Sequence, residues 1–223
     1  MAARRRVAVV LSGSGVKDGS EIHEAVSAII ALDRAGYEVV FTAPDVDQAA
    51  TVDHLSGQPA EGERRNVLRE SARIARGEIR PLSRLRPEDY DAVVFPGGFG
   101  AATNRCSFAE EGASCGVLPE IEKLVRRASD DGKPIAAMCI APVILARCLG
   151  NGVRLTIGTD RGTASALEKM GAVHVDCPVD SSVVDETRRV VTTPAYMLAN
   201  GPAQVMAGAE SLVRELGRLL ESA

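Results

Sequence analysis

Short apolar runs alternate with amphipathic segments along most of the chain. Continuous apolar runs, which are typical of strands buried on both faces, predict strands at residues 7–11, 38–43, 92–95 and 134–138, with further short strands in "VRLTIGT" and "VVDETRRVVTTP". Apolar residues spaced three and four apart predict helices at residues 21–34, 66–75, 119–131, from 141 onward, 163–170 and 203–220. Ser20 is expected to cap the first of these helices.

This order of strands and helices predicts an α/β fold, a mainly parallel sheet with helices on both faces. The 223 residues fit a single domain that covers residues 1–223. In such sheets, ligands bind at the carboxyl ends of the strands. The loop "SGSGVKDGS", the "PGG" turn and Cys139 each follow a predicted strand, so we expect all three to meet at one edge of the sheet.

Composition narrows the classes of function. Apolar residues make up 45% of the chain and aromatic residues only 3%, which predicts an aliphatic core. The net charge of −4, without a dominant basic run, argues against nucleic-acid binding, and no apolar stretch approaches the roughly 20 residues that span a membrane. The five cysteines contain no CxxC pair, which argues against a metal site. With no recognisable signal peptide, we expect reduced thiols and a cytoplasmic location.

Cys139 stands where a predicted strand passes directly into a predicted helix. The positive end of a helix dipole favours a thiolate, and the N–H of Ile140 points the same way, so this cysteine is a candidate nucleophile. Packing is the alternative, because cysteine often behaves as a small apolar residue. The other four cysteines are interpreted as packing residues, bystanders or surface thiols: Cys106, Cys115, Cys148 and Cys177.

Two further groups could act on such a sulfur. The "PGG" turn brings the N–H groups of Gly97 and Gly98 within reach of a developing oxyanion, although the same triplet is also an ordinary turn. Glu21 and Glu24 lie three apart near the start of the first helix, where either could be a general acid/base or could simply favour the helix N-terminus. His23, between them, could cap the helix or line the site.

Five segments together resemble the ElbB type of protein, within the PfpI/ThiJ superfamily that is related to class I glutamine amidotransferases: "SGSGVKDGSEIHE", "FPGGFGAATN", "AAMCIAPVILAR", "LTIGTD" and "VVTTPAYMLA". The resemblance implies a flavodoxin-like α/β sandwich with the cysteine, here Cys139, on a nucleophile elbow. It also implies a glutamate of the first helix in contact with that sulfur, and Glu24 matches the position better than Glu21. Gly97, Gly98 and Ile140 match the donors of an oxyanion site.

The resemblance further implies a homodimer and a weak glyoxalase activity that needs neither glutathione nor a metal, so no cofactor is expected. An older label links the group to isoprenoid biosynthesis. One position departs from the pattern, because the first loop usually reads "SGCG" and here carries Ser14. A second thiol near the site is therefore missing, and the Ser14 hydroxyl is left to support ligand placement.

Three functions follow from these residues. The first is a glyoxalase, in which Cys139 attacks a small aldehyde such as glyoxal or methylglyoxal and Glu24 moves the protons. The second is a glutaminase, which requires a histidine base beside the cysteine; the stretch after the last strand reads "TTPAYM" and contains none, which argues against it. The third is a redox sensor or binding protein that uses an oxidisable Cys139 without catalysis. The expected partner is a small aldehyde, with neither nucleic acid nor membrane.

Overall fold

A seven-stranded sheet, strand order β3-β2-β1-β4-β5-β9-β8, forms the centre of the computed structural model, which describes residues 4–222. The strands are β1 (Arg6–Val10), β2 (Glu38–Ala43), β3 (Arg80–Pro81), β4 (Ala92–Phe95), β5 (Ile135–Met138), β8 (Val183–Asp185) and β9 (Val190–Thr193). All pairs are parallel except β8 with β9. Two short strands, β6 (Arg154–Leu155) and β7 (Val173–His174), form a separate parallel pair. The ends of the expected domain, residues 1–3 and 223, lie outside the described residues.

Helices cover both faces of this sheet because its central strands are apolar on both sides. The helices are α1 (Ile22–Arg34), α2 (Val67–Ile74), α3 (Phe99–Thr103), α4 (Phe108–Glu111), α5 (Pro119–Asp130), α6 (Pro142–Leu149), α7 (Arg161–Lys169) and α8 (Pro202–Glu221). One core joins α5, α6 and α7 to alternate strand residues such as Val10 and Phe95. The other core joins α1 and α8 to the intervening residues, such as Val9 and Val94. This arrangement confirms the predicted flavodoxin-like α/β fold.

The sequence did not predict four short elements, β3, β7, α3 and α4. Of these, α3 packs its Gly100 so closely against the first loop that a Cβ there would lie 2.6 Å from the Cα of Gly19. The prediction that Ser20 caps α1 is wrong. Glu21 caps α1, whereas the Ser20 hydroxyl accepts the N–H of Ser12 within the first loop.

Within residues 4–222, no helix combines the length and the apolar composition that are needed to cross a bilayer.

Candidate active site

The turn from β5 to α6 presents the side chain of Cys139 at the carboxyl end of the sheet. Cys139 follows the last residue of β5 and has a φ of 61°, in the left-handed region that is unfavourable for any residue with a Cβ. Its N–H donates to the carbonyl of Thr193 at 3.0 Å, and the N–H of Ala141 closes the turn onto Met138 at 3.0 Å. The residue is 8% exposed, so its thiol lies just below the surface.

Glu24 lies against this thiol, and every oxygen of its carboxylate has a partner. Oε2 accepts the N–H of Gly97 at 3.0 Å, and Oε1 accepts the N–H of Tyr196 at 3.2 Å. The side chain of Cys139 lies against this carboxylate, since a Cβ built at Gly97 would be 2.5 Å from both the Cβ of Cys139 and Oε2 of Glu24, and the thiol lowers the pKa of Glu24. Glu24 has no solvent exposure. Four segments that are distant in the chain therefore fix one carboxyl group beside one sulfur.

The choice between Glu21 and Glu24 is resolved by the start of α1. The carboxylate of Glu21 accepts the N–H of Glu24 at 2.7 Å, which makes Glu21 the helix cap. The N–H of Glu21 in turn donates to the carbonyl of Gly97 at 3.0 Å. Glu21 therefore positions the helix, and Glu24 is the carboxylate that meets Cys139.

The two glycines of the "PGG" turn are required by the closeness of these groups. A Cβ at Gly97 would lie 2.5 Å from both the Cβ of Cys139 and Oε2 of Glu24, and Gly98 has a φ of 94°. The N–H groups of Gly98 and Ile140 both point at the sulfur of Cys139. Gly97 was expected to share this role, but its N–H is bonded to Glu24. The expectation that it is a free oxyanion donor is therefore wrong.

Burial governs the protonation of the pair. Burial raises the pKa of Glu24 to about 7, although the bonds from Tyr196, Cys139 and Gly97 lower it. Burial also raises the pKa of Cys139 well above its usual value, and the negative charge of Glu24 adds to this, while the N–H groups of Gly98 and Ile140 act against it. Loss of solvent thus opposes the thiolate that the helix N-terminus was expected to favour. The thiol needs a base, and Glu24 is in contact with it.

The remaining predicted residues lie outside this contact. Ser14 is half-buried in the first loop, and its side chain makes no hydrogen bond to Cys139 or Glu24 in the described part of the chain, so its role stays a prediction. His23 is exposed and pairs through Nδ1 with the hydroxyl of Tyr196 at 2.7 Å. His54 and His174 accept backbone N–H groups elsewhere, from Lys17 and Ile157.

The other four cysteines are buried and unpaired: Cys106, Cys115, Cys148 and Cys177. The packing interpretation of Cys148 and Cys177 is consistent with this burial, and the surface-thiol alternative for Cys106 and Cys115 is wrong. Among residues 4–222, no group of three or more His, Cys, Asp or Glu side chains is arranged to hold a metal ion.

Two residues of the site were not found from the sequence. Tyr196 contributes its backbone N–H to Glu24, and the signal was available, because the residue follows β9 at the same edge of the sheet. Arg105 lies completely buried behind the "PGG" turn and donates to the carbonyl of Pro96 at 2.5 Å. Nothing in its neighbourhood, "NRCSF", distinguishes it from a surface arginine.

Known proteins share this fold, and their sequences align with most of this chain. The model of the DJ-1/PfpI family matches residues 5–213. A human protein, glutamine amidotransferase-like class 1 domain-containing protein 3, mitochondrial, is 46% identical over 220 residues, which are 95% of this chain and 82% of that protein. The ES1 protein homolog, mitochondrial, of Rattus norvegicus is 44% identical, over 96% of this chain and 83% of its own length.

Solved structures agree with these relatives. An isoprenoid biosynthesis protein with amidotransferase-like domain from Ehrlichia chaffeensis has a TM-score of 0.89 and 38% identity, and the match covers 96% of this chain and 99% of that one. Glyoxalase III of Candida albicans has a TM-score of 0.61 at 18% identity, with 95% and 97% of the two chains covered. At that identity the second likeness shows the fold alone.

The names of the relatives correct one expectation. The human and rat proteins, and the ES1 protein of Danio rerio at 33% identity, are all named mitochondrial. This finding contradicts the cytoplasmic location expected from the sequence, because the lack of a recognisable signal peptide does not distinguish between compartments inside the cell. The resemblance to the ElbB type and its superfamily is confirmed: the chain belongs to the DJ-1/PfpI family.

Proposed function

We propose that the protein is a cofactor-independent enzyme of the glyoxalase type, which converts glyoxal or methylglyoxal to a 2-hydroxy acid. One observation carries the proposal: a thiol at a strained turn lies against a fully buried carboxylate, and burial raises the pKa of that carboxylate to about 7. Such a carboxylate can both accept and return a proton at neutral pH. The chemistry needs a nucleophile and one acid/base group, and Cys139 and Glu24 supply them.

The first step is addition of the thiol to the aldehyde. Glu24 accepts the proton of Cys139 as the sulfur bonds to the aldehyde carbon, and the carbonyl π electrons move to its oxygen. The N–H groups of Gly98 and Ile140, which point at the sulfur in the free protein, stabilise this oxyanion. Protonation of the oxyanion by Glu24 gives a hemithioacetal and regenerates the carboxylate.

The second step moves a proton between the two substrate carbons. Glu24 removes the proton from the sulfur-bearing carbon and delivers it to the neighbouring carbonyl carbon, while the hydroxyl proton passes to the neighbouring oxygen. One carbon is thereby oxidised to a thioester and the other is reduced to an alcohol, so no external oxidant is needed. Water then hydrolyses the thioester, which releases the 2-hydroxy acid and the free thiol.

The alternatives fit the site less well. A glutaminase requires a histidine base, and the position after β9 holds Ala195 and Tyr196, whose N–H is bonded to Glu24. His23 lies on the exposed side of α1, bonded to Tyr196. A redox sensor would use the same sulfur without turnover, and the assay below separates it from an enzyme. The homodimer and the small aldehyde partner implied by the resemblance stay predictions.

The proposal is tested by incubating the purified full chain with methylglyoxal and with glyoxal, without glutathione or added metal, and measuring lactate and glycolate. Wild type is expected to form both acids. Cys139→Ala and Glu24→Gln are expected to form neither, whereas Cys148→Ala, a matched substitution of a buried cysteine on α6, retains the activity. Equal effects of Cys139→Ala and Cys148→Ala, or no acid from the wild type, would overturn the proposal.

A further inference from the structure

Arg105 is a completely buried arginine. Nη1 donates to the carbonyl of Val10 at 3.0 Å, Nη2 donates to the carbonyl of Pro96 at 2.5 Å, and the guanidinium lies over the ring of Phe95, 5.5 Å from its centroid. Nε is buried without a hydrogen-bond partner. In the described part of the chain, residues 4–222, no carboxylate forms an ion pair with this group. Burying a charge without a carboxylate partner costs folding free energy.

The charge persists at neutral pH. Burial lowers the pKa of Arg105 to about 10, and the negative charge of Glu24 acts in the opposite direction. The guanidinium is therefore protonated under physiological conditions. The two carbonyls that it contacts lie at the carboxyl ends of β1 and β4, the edge of the sheet where the site is formed.

One peptide unit connects Arg105 to Glu24. The carbonyl of Pro96, which accepts from Arg105, belongs to the same peptide group as the N–H of Gly97, which donates to Oε2 of Glu24 at 3.0 Å. A cation therefore lies at the oxygen end of this peptide dipole and a carboxylate at its hydrogen end. Hydrogen bonds in such a chain polarise and strengthen each other. The same peptide leads directly into Gly98, whose N–H points at Cys139.

We propose that Arg105 is a positioning residue of the candidate site: it fixes the peptide between Pro96 and Gly97 by its carbonyl, keeps the N–H aimed at Glu24, and opposes the charge of that carboxylate. That Glu24 acts in catalysis rests on the proposed function, whereas the electrostatic interaction between Arg105 and Glu24 does not depend on it. Arg105 thus stabilises the ionised Glu24 that must take the proton of Cys139.

Several elements pack against Glu24 and bring charged or polar groups towards its carboxylate. Glu21, on the same helix, adds negative charge, Cys139 faces Glu24 from the elbow, and Tyr196 faces it from the segment after β9. His23 lies on the exposed side of α1 and bonds to the hydroxyl of Tyr196. Arg105 adds a buried positive charge at the other end of the peptide between Pro96 and Gly97, and the negative charge of Glu24 raises the pKa of Arg105.

The test is a pH titration of the Glu24 carboxyl carbon by NMR, with carbon-13 in glutamate, and Glu24→Gln identifies the signal by its loss. In Arg105→Met, and in Arg105→Gln, which retains a donor for the carbonyl of Pro96, the midpoint is expected to rise by roughly one unit. Arg105→Lys retains the charge, so its midpoint is expected to stay close to that of the wild type. A purely structural role would change the melting temperature of the variants but leave the midpoint in place.

Folded neutral variants with the wild-type midpoint would overturn the proposal, and so would a lysine variant that shifts as far as they do. A second measurement needs only the wild type, so it remains decisive should the neutral variants fail to fold. The Cζ signal of Arg105 is expected to move with the same midpoint as Glu24, and an Arg105 signal that does not change through that midpoint would overturn the proposal. Neither measurement uses a substrate, so failure of the glyoxalase assay and failure of this proposal are separate results.

Discussion

The side chain of Cys139 lies against the carboxylate of Glu24, at a point where Glu24 is closed off from solvent. Burial raises the pKa of both groups, the negative charge of Glu24 raises that of Cys139 further, and the neighbouring thiol lowers that of Glu24. The pair therefore behaves as one unit, whose state depends on a proton that moves between sulfur and oxygen.

The activity is expected to rise with pH through about 7, where Glu24 ionises in the free protein. The carboxylate form, present above that pH, is the base that takes the thiol proton, so turnover is low below it. The check is a profile of kcat/KM against pH for methylglyoxal, which reports the free enzyme. A midpoint near 4.5, the ordinary value for a glutamate, would mean that Glu24 is solvated and would contradict the assigned role.

The folded protein is expected to lose stability as pH rises from about 4.5 to about 7, relative to Glu24→Gln. The pKa of Glu24 is higher in the folded chain, so folding favours its protonated form, and that contribution is complete below the unfolded pKa and lost above the folded one. The expected difference is about 3 kcal/mol. Urea unfolding of both proteins at pH 4 and pH 8 measures it, and a difference that does not change with pH would refute the burial of an ionisable Glu24.

Gly97→Ala is expected to remove most of the activity, by roughly 100-fold or more. The new methyl group would overlap the Cβ of Cys139 and Oε2 of Glu24, each 2.5 Å away, and would force the two apart. Steady-state kinetics and thermal unfolding measure the effect. Gly162→Ala is the matched control, because a Cβ there meets only Oδ1 of Asp160 at 3.5 Å, an ordinary contact. Full activity in Gly97→Ala would mean that the tight contact is not needed.

Mild peroxide is expected to oxidise Cys139 ahead of the other cysteines. Glu24 can withdraw its proton, and the N–H groups of Gly98 and Ile140 stabilise the resulting charge. Burial raises the pKa of Cys139, and it likewise raises that of Cys106 and Cys177 to about 11 and that of Cys148 to about 12. In the described residues, however, no carboxylate accepts a hydrogen bond from the last three thiols, so a base in contact with the sulfur distinguishes Cys139.

Peptide mass spectrometry after a timed exposure measures this selectivity, and Glu24→Gln serves as the control that should reduce it. Equal oxidation of all five cysteines would contradict both the nucleophile assignment and the redox-sensor alternative. Selective oxidation without acid formation from aldehydes would favour the sensor over the enzyme.

Much of the fold follows from apolar periodicity alone. The strand predicted at 38–43 is β2 to the residue, and the helix predicted at 21–34 differs from α1 by one position. The short helix α3 was not predictable in this way, because "FGAAT" has no apolar period. It forms since Gly100 allows close packing against the first loop, which is a tertiary effect.

The site was predictable in position but not in electrostatics. The carboxyl-end rule for parallel sheets brought the first loop, the "PGG" turn and Cys139 together. Helix spacing left Glu21 and Glu24 open, since both lie near the same face, and only the resemblance favoured Glu24. The raised pKa of Cys139 could not be read from the sequence, because it depends on how completely the folded chain removes solvent from the sulfur.

The two edge strands of the large sheet, β3 and β8, affect how readily molecules associate at high protein concentration. At one border β3 is only two residues long and ends in Pro81, which has no N–H to offer a further strand. At the other, Asp185 of β8 accepts the N–H groups of Arg154 and Arg188, which ties that end of the strand to neighbouring segments. An extended peptide from another molecule therefore finds little to pair with at either side, and the sheet is protected against templated growth into aggregates.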